Sequence, residues 1–418
     1  MNILKNSSIY ILVSIFSGSL SFLLLPILTN HLSPENYGIY EVYRSLISLL
    51  QGVMIFGTNT LIFGNFFKWT KLEFKIFLHN SIFIFLMVLM ILTALSLIPE
   101  INSYLFNEFS LPLSIVLTGV VTVFFQSVTS LQTTIFQIKG KAIKYAFFTA
   151  GFSLITFIIT YILVVHYSFN WHGPVISILL TSLIFFVLTN FNFLKLGIKI
   201  NYPLTKLKTI FFLGAPLIFT HLSGWIIEAF DKLMITSLLS SSATGNYSVN
   251  YKFSMIVFLI QIGVLRAWAP FFYKTKSLNT PKNNLIIVKY TYILILFLLL
   301  VTCIVIFISP YLFSMFIKSD SYNFSIRIIV YVSIGYFFDG LWKIFGQYLI
   351  NLNKTKIYSI ILAVSSIFNL IFNYFLIKKY GIDGAAISTC FAFIIGFILT
   401  FVAASYYSPM PWFYLNKK

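Results

Sequence analysis

Twelve continuously apolar runs, each long enough to cross a bilayer, divide this chain almost from end to end. They fall at about 9–29, 41–64, 76–98, 112–137, 144–165, 174–194, 210–238, 247–269, 285–308, 326–350, 357–377 and 384–407. About twenty apolar residues in a helix span ~30 Å of hydrocarbon. Inside that layer every backbone N–H and C=O must be bonded within the protein, which leaves helices or a closed barrel. The runs lack the apolar/polar alternation of barrel strands, so they read as helices. Composition agrees: 59% of residues are hydrophobic and 9% charged, against about 25% charged in soluble domains. The expected fold class is all-α, a polytopic membrane protein with twelve transmembrane helices.

The net charge of +18 reflects where lysines sit between the runs. Alternate connectors hold Lys68, Lys71 and Lys75; Lys139, Lys141 and Lys144; Lys195, Lys199, Lys206 and Lys208; Lys274, Lys276, Lys282 and Lys289; and Lys354 and Lys356. With Lys5, Lys417 and Lys418 they make nineteen on one side, whereas the opposite connectors hold only Lys318, Lys378 and Lys379. The positive-inside rule then places both termini in the cytoplasm. No basic domain with interleaved aromatics is present, so no nucleic-acid partner is expected. Cys303 and Cys390 lie inside apolar runs and fit no metal or disulfide pattern. The run from Ile9 to Leu28 is long for a signal peptide and reads as a retained first span.

The chain repeats itself. LTNHLSPENYGIYEVY, from Leu28, aligns with ITSLLSSSATGNYSVN, from Ile235, matching Gly38 to Gly245, Tyr40 to Tyr247 and Val42 to Val249. One residue of slippage sets Tyr43-Arg44 against Tyr251-Lys252, and HGPVIS at His172 later aligns with DGAAIS at Asp383. Offsets near half the length imply duplication of a six-span unit. The expected organisation is two pseudo-symmetric six-helix bundles: an N-terminal lobe 1–194, a cytoplasmic linker 195–209 and a C-terminal lobe 210–418. Even-numbered halves share one orientation, the arrangement of carriers with a cavity between lobes.

Six cations and four acids lie in or beside the runs: Arg44, Lys232, Lys252, Arg266, Arg327 and Lys343, with Glu41, Glu228, Asp231 and Asp339. A charge at mid-membrane costs about 2.5–3.5 kcal/mol on insertion scales unless it meets water or a partner. One explanation is pairing. Glu41 and Arg44 are i,i+3; Glu228 and Lys232, and Asp339 and Lys343, are i,i+4, while Arg327 and Arg266 have the position to snorkel to an interface. The other is ligand binding. Arg44 and Lys252 occupy equivalent places in the two halves, and paired cations suit an anion such as a membrane-borne diphosphate. Lys232 would complete that site, with Arg266 as a further substrate-binding cation. Asp231 and Glu228 would tune it or carry a proton or sodium ion, and Glu41, Asp339 and Lys343 stand as ion-coupling or structural pairs. No catalytic residue, metal site or cofactor is expected. His31, His79, His166, His172 and His221 show no ligand spacing, and no Walker A, dinucleotide or nucleophile-elbow pattern occurs.

DKLMITSLLSSSATGNYSVNYK, Asp231 to Lys252, resembles the seventh-to-eighth helix signature of Wzx-type O-antigen and polysaccharide flippases. LSPENYGIYEVYR resembles their first-to-second helix signature, and RAWAPFFYK at Arg266 and GIDGAAIST at Gly381 resemble further segments, in order along the whole chain. HGPVIS departs from the pattern, with proline where small alanines are usual. The resemblance implies the fold of the multidrug/oligosaccharidyl-lipid/polysaccharide exporter superfamily, working by alternating access. It implies an undecaprenyl-diphosphate-linked oligosaccharide as substrate, flipped to the periplasmic leaflet of the bacterial inner membrane, with Arg44, Lys232 and Lys252 at matching cavity positions. Membrane lipids, a polysaccharide polymerase and a chain-length regulator are the expected partners of a monomeric, non-enzymatic chain. Two alternatives stay open: a drug or metabolite exporter of the same superfamily, and a membrane O-antigen polymerase or ligase. The exporter is expected to favour acids in its lobes, and the enzymes a sizeable periplasmic loop.

Overall fold

A computed structural model describes residues 3–195, 203–278 and 280–412, all of them helix or short connection with no strand among them. Fourteen α-helices follow in order: α1 (Ile3–His31), α2 (Pro34–Ile55), α3 (Thr58–Asn65), α4 (Lys71–Ser96), α5 (Pro99–Phe109), α6 (Leu113–Ile138), α7 (Ala142–Tyr161), α8 (His172–Lys195), α9 (Leu207–Leu238), α10 (Ser241–Ser277), α11 (Pro281–Phe316), α12 (Ile326–Asn351), α13 (Thr355–Tyr380) and α14 (Ile382–Tyr407). Eleven are long and apolar enough to cross a membrane, and α2 with α3, bent by 45°, brings the count to twelve. Residues 196–202 of the expected linker, Lys199 among them, and the terminal Lys417 and Lys418 lie outside the described residues.

Local chemistry sets the helix boundaries more tightly than the apolar runs suggest. Ser33 caps α2, its hydroxyl accepting the Asn36 N–H, and Pro34 occupies the first helical position, where its missing N–H costs nothing. The stretch from Pro34 to Gly38, which lies between the first two apolar runs, is therefore already helix. The same holds after Ser240, where α10 begins at once. The second run, expected as one span over 41–64, breaks at Phe56 and Gly57, both in the left-handed region with φ of 50° and 66°. Glycine adopts that conformation freely; phenylalanine does so only where neighbours hold it. Thr70 and Glu73 form a reciprocal capping box at the head of α4. Pro174 lies in the first turn of α8, so HGPVIS starts that helix without breaking it. The connector after α4 contains a helix of its own, α5, with Tyr104 and Phe106 exposed.

Contacts divide the chain into two compact units. The first comprises Met1–Trp225 and Ser240–Gly245. Within it α6 packs against α2, α3, α4 and α8, and α1 packs against α7. The Trp225 indole N–H donates to the Ser45 carbonyl at 2.9 Å. At the start of α2, a Cβ added to Gly38 would strike the Ser241 carbonyl, and one added to Gly245 would strike the Pro34 carbonyl. These duplicated glycines let two backbones touch, each helix start resting on the other's first turn.

The second unit comprises Ile226–Leu239 and Asn246–Lys418. Here α14 lies against both α12 and α13, and α11 against α12. Small residues again admit close packing, with Gly396 beneath the Trp342 ring. Near one end Phe345, Tyr348, Phe401 and Trp412 form an aromatic tier, and the Tyr292 hydroxyl holds the chain after α14 by donating to the Trp412 carbonyl at 2.7 Å. At the opposite end of α12, the Asn246 and Asn250 side chains accept the backbone N–H groups of Asn323 and Ser325 at 2.8 Å. Large apolar side chains left exposed, such as Leu296, Leu300, Phe307 and Tyr311 of α11, match a hydrocarbon solvent.

A side chain at Gly38 or Gly245 would press on a backbone carbonyl that cannot rotate away. Gly38→Val should lower the melting temperature of detergent-purified protein, with an overpacking cost of about 1–3 kcal/mol. Gly224→Ala, where an added Cβ meets nothing within 4 Å, should leave it unchanged or raised.

Candidate functional site

The intramembrane charges fall into two sets, one in each unit. In the first, Arg44 lies ten residues into α2, about 15 Å along the helix from Pro34. Its guanidinium donates to the Glu41 carboxylate at 3.0 Å and stands 5.8 Å from the Tyr40 ring centre. Glu41 is buried, whereas 38% of the Arg44 side chain remains accessible. A guanidinium carries five N–H donors in a fixed fork. One is committed to Glu41, and accessible surface remains for a ligand.

In the second unit Asp231 is fully buried on α9. Its carboxylate accepts the Tyr247 hydroxyl at 2.5 Å and lies 3.6 Å from the Lys232 ammonium. The Lys232 ammonium also stands 4.7 Å from the Tyr251 ring centre, and the Tyr336 hydroxyl donates to Tyr251 at 2.8 Å. This is a closed polar knot: a buried acid, a cation with 9% of its side chain accessible, and three phenols. One helix further, Asp339 of α12 accepts the Lys343 ammonium at 2.5 Å and the Gln261 amide N–H at 2.7 Å. Lys343 keeps 31% of its side chain accessible.

Pairing therefore runs as the spacing suggests for Glu41 with Arg44 and for Asp339 with Lys343. For Lys232 it does not: the partner is Asp231, and Glu228 turns to an exposed position on α9. Lys252 is buried on α10 and Arg266 exposed further along it. Arg327 sits 3.6 Å from Asp383 with 77% of its side chain exposed.

Little in the sequence points to Gln261, which bonds Asp339, to Tyr336, which bonds Tyr251, or to Phe258, whose ring lies 5.0 Å from the Lys343 ammonium. Gln261 is a lone amide in an apolar stretch of α10, and that oddity is the signal that would have found it. A second polar seam lies on α13, where Ser365, Asn369 and Asn373 are buried at four-residue spacing. The Asn373 amide N–H donates to Asn369, and the Ser388 hydroxyl of α14 donates to the Asn369 carbonyl at 2.9 Å. Among the described residues no three His, Cys, Asp or Glu side chains gather as a metal site.

Charged side chains with accessible heads on spanning helices are the mark of a transporter rather than of a passive anchor. The sequence profile of the polysaccharide biosynthesis protein family matches residues 3–276. The chain belongs to that family. A second profile, MatE, matches residues 216–375. Among curated relatives, "Lsg locus putative protein 1" of Haemophilus influenzae is 23% identical over 279 residues, 66% of this chain and 67% of that protein. A "putative O-antigen transporter" of Shigella flexneri is 24% identical over 232 residues, 53% of this chain and 54% of its own length. Two solved structures share the fold. The lipid II flippase MurJ in an inward closed conformation aligns with a TM-score of 0.77 at 18% identity, over 96% of this chain and 87% of that one. An inward-facing multidrug resistance transporter of the MATE family aligns with 0.75 at 14% identity, over 93% and 95%. The Wzx-type resemblance and the all-α, multi-span fold read from the sequence thus hold.

The knot around Asp231 is expected to carry stability. Asp231→Ala takes this acceptor from the Tyr247 hydroxyl and removes the carboxylate 3.6 Å from the buried Lys232 ammonium, a loss of about 3–5 kcal/mol for broken buried pairs. Purified protein should unfold at a distinctly lower temperature. Glu228→Gln, which removes no hydrogen bond, should melt with the wild type.

Proposed function

We propose that this chain is a flippase for an undecaprenyl-diphosphate-linked oligosaccharide, moving it from the cytoplasmic to the periplasmic leaflet of a bacterial inner membrane. The observation that carries the reading is Arg44: a cation deep in a spanning helix, tied to Glu41 by one donor, with 38% of its side chain still accessible. An arginine kept accessible at that depth needs an anionic visitor, and the fork geometry of guanidinium fits phosphate oxygens. Family membership, the likeness to an O-antigen transporter and the fold shared with a lipid II flippase support the same substrate class. In this reading the halves 1–194 and 210–418, joined by 195–209, expose the site alternately to the two sides of the membrane. Lys252, Lys232 and Arg266 supplement Arg44 in carrying the diphosphate. Both termini are cytoplasmic, the chain works as a monomer beside a polymerase and a chain-length regulator, and a proton or sodium gradient acting through Asp231 or Glu228 drives it.

The MatE match over residues 216–375 and the MATE-family fold favour one other reading, a drug exporter. The two separate on phenotype. In the source organism, Arg44→Ala and Lys252→Ala should each abolish surface glycan display while the protein still inserts and accumulates. Full glycan display by the double variant contradicts the anion site, and lost drug resistance with intact glycan supports the exporter. For the coupling, Asp231→Asn should flatten the dependence of flipping on an imposed proton or sodium gradient. Unchanged dependence removes Asp231 from that role.

A further inference from the structure

Four acids lie within the spans, and three of them are spoken for. Glu41 holds Arg44, Asp231 holds Tyr247 and Lys232, and Asp339 holds Lys343 and Gln261. Glu228 differs: among the described residues it accepts no hydrogen bond and makes no ion pair, and it is exposed although it sits well inside α9, about two-thirds of the way along. The charged groups around it are Lys343 and Asp339 on α12 and Lys232 one turn along its own helix. Beyond them it faces the phenols of Tyr251 on α10 and Tyr336 on α12. All of these belong to the second unit.

Lys343 is the complementary oddity. Its ammonium donates to Asp339, four residues earlier on the same helix, at 2.5 Å, and lies 5.0 Å from the Phe258 ring centre. Asp339 is held in turn by the Gln261 amide, whose own side chain is fully buried, so the anchor cannot swing. An ammonium has three donors. One is used by Asp339 and one face covers Phe258, which leaves the remainder on the accessible third of the side chain. Lys232, by contrast, is folded into the knot around Asp231. A cation held on one side by Asp339, with part of its side chain still accessible and the unpaired Glu228 carboxylate among its charged neighbours, has the form of an anion site whose counter-charge is replaceable.

We propose that Lys343 is a phosphate-binding cation of the second unit, positioned by Asp339 and Gln261, and that Glu228 is the counter-charge which an arriving phosphate displaces. The inference rests on the reading that the substrate is an anionic lipid diphosphate, and it adds a residue and a switch to it. While Glu228 is ionised, its charge attracts Lys343 and repels phosphate oxygens. When Glu228 takes a proton, that opposition ends and the ammonium is left to the ligand. Phosphate and a proton at Glu228 therefore favour each other's binding, by the reciprocity that links any two coupled sites.

The test uses the purified full-length protein in detergent, titrated calorimetrically with inorganic pyrophosphate at low, constant ionic strength between pH 6 and pH 8. Glu228→Gln should bind about 5-fold or more tightly than wild type at the upper pH, the lower end of usual coupling. The two should converge as pH falls. Titration of pyrophosphate itself is common to both proteins and cancels in their ratio. Lys343→Met should weaken binding at least as far and erase the effect of Glu228→Gln in the double variant, while Lys343→Arg should retain it. Should Lys343→Met fail to fold, the Glu228→Gln arm decides alone, because that change breaks no hydrogen bond. Wild-type affinity in both Lys343→Met and Glu228→Gln, with binding still lost in Arg44→Ala, overturns this inference and leaves the diphosphate reading intact. Absence of pyrophosphate binding to the wild-type protein overturns both.

Discussion

The cost of a charge in hydrocarbon governs this structure. Each ionised side chain at mid-membrane must meet a partner or water, and the chain answers in three ways. Asp231 and Lys232 are sealed into a knot of phenols, where every polar head meets another. Glu41 with Arg44, and Asp339 with Lys343, are half-sealed: the acid is buried and the base stays accessible. Glu228 is exposed and makes no hydrogen bond or ion pair among the described residues. That gradation separates scaffold from site better than charge itself, because a merely structural pair gains nothing by keeping its cation open. In both half-sealed pairs the helix spacing fixes the geometry, the acid standing one turn before the base.

Backbone proximity is the second constraint. Spanning helices have no hydrophobic drive toward each other in lipid and associate by close packing, so small residues mark the contacts. Gly38 and Gly245 show this within the first unit, each resting on a carbonyl of the other's helix start. The duplication that the sequence reveals is thus used structurally, the same glycine serving the same purpose twice. The short connections on either side follow from it, since Ser33 and Pro34 start α2 within two residues of the end of α1.

Much of the fold was legible in the sequence because spanning helices announce themselves by length and polarity. The breaks were less so. Phe56 carries no turn signal, and the bend there depends on tertiary contacts that hold a phenylalanine at positive φ; only the neighbouring Gly57 hinted at it. The inward set of charges was legible as a list of residues, for the same energetic reason that makes them rare. Their partners were partly hidden. Spacing paired Glu228 with Lys232 as plausibly as Asp339 with Lys343, and rotation about the helix axis decided otherwise, turning Lys232 toward Asp231 and Tyr251. Long-range partners such as Gln261 on Asp339, 78 residues apart, leave no local pattern at all.

A flippase of this kind must carry an anionic lipid-linked sugar across the bilayer, and that crossing can be measured directly. Purified protein can be reconstituted into vesicles carrying a labelled undecaprenyl-diphosphate oligosaccharide, with a membrane-impermeant glycosidase added outside. Wild-type protein should make the inner-leaflet pool accessible, so that digestion runs on toward the whole of the label, while vesicles bearing Arg44→Ala stop at the outer-leaflet fraction. Digestion that halts at the same fraction with wild-type protein as in protein-free vesicles would contradict the proposed function.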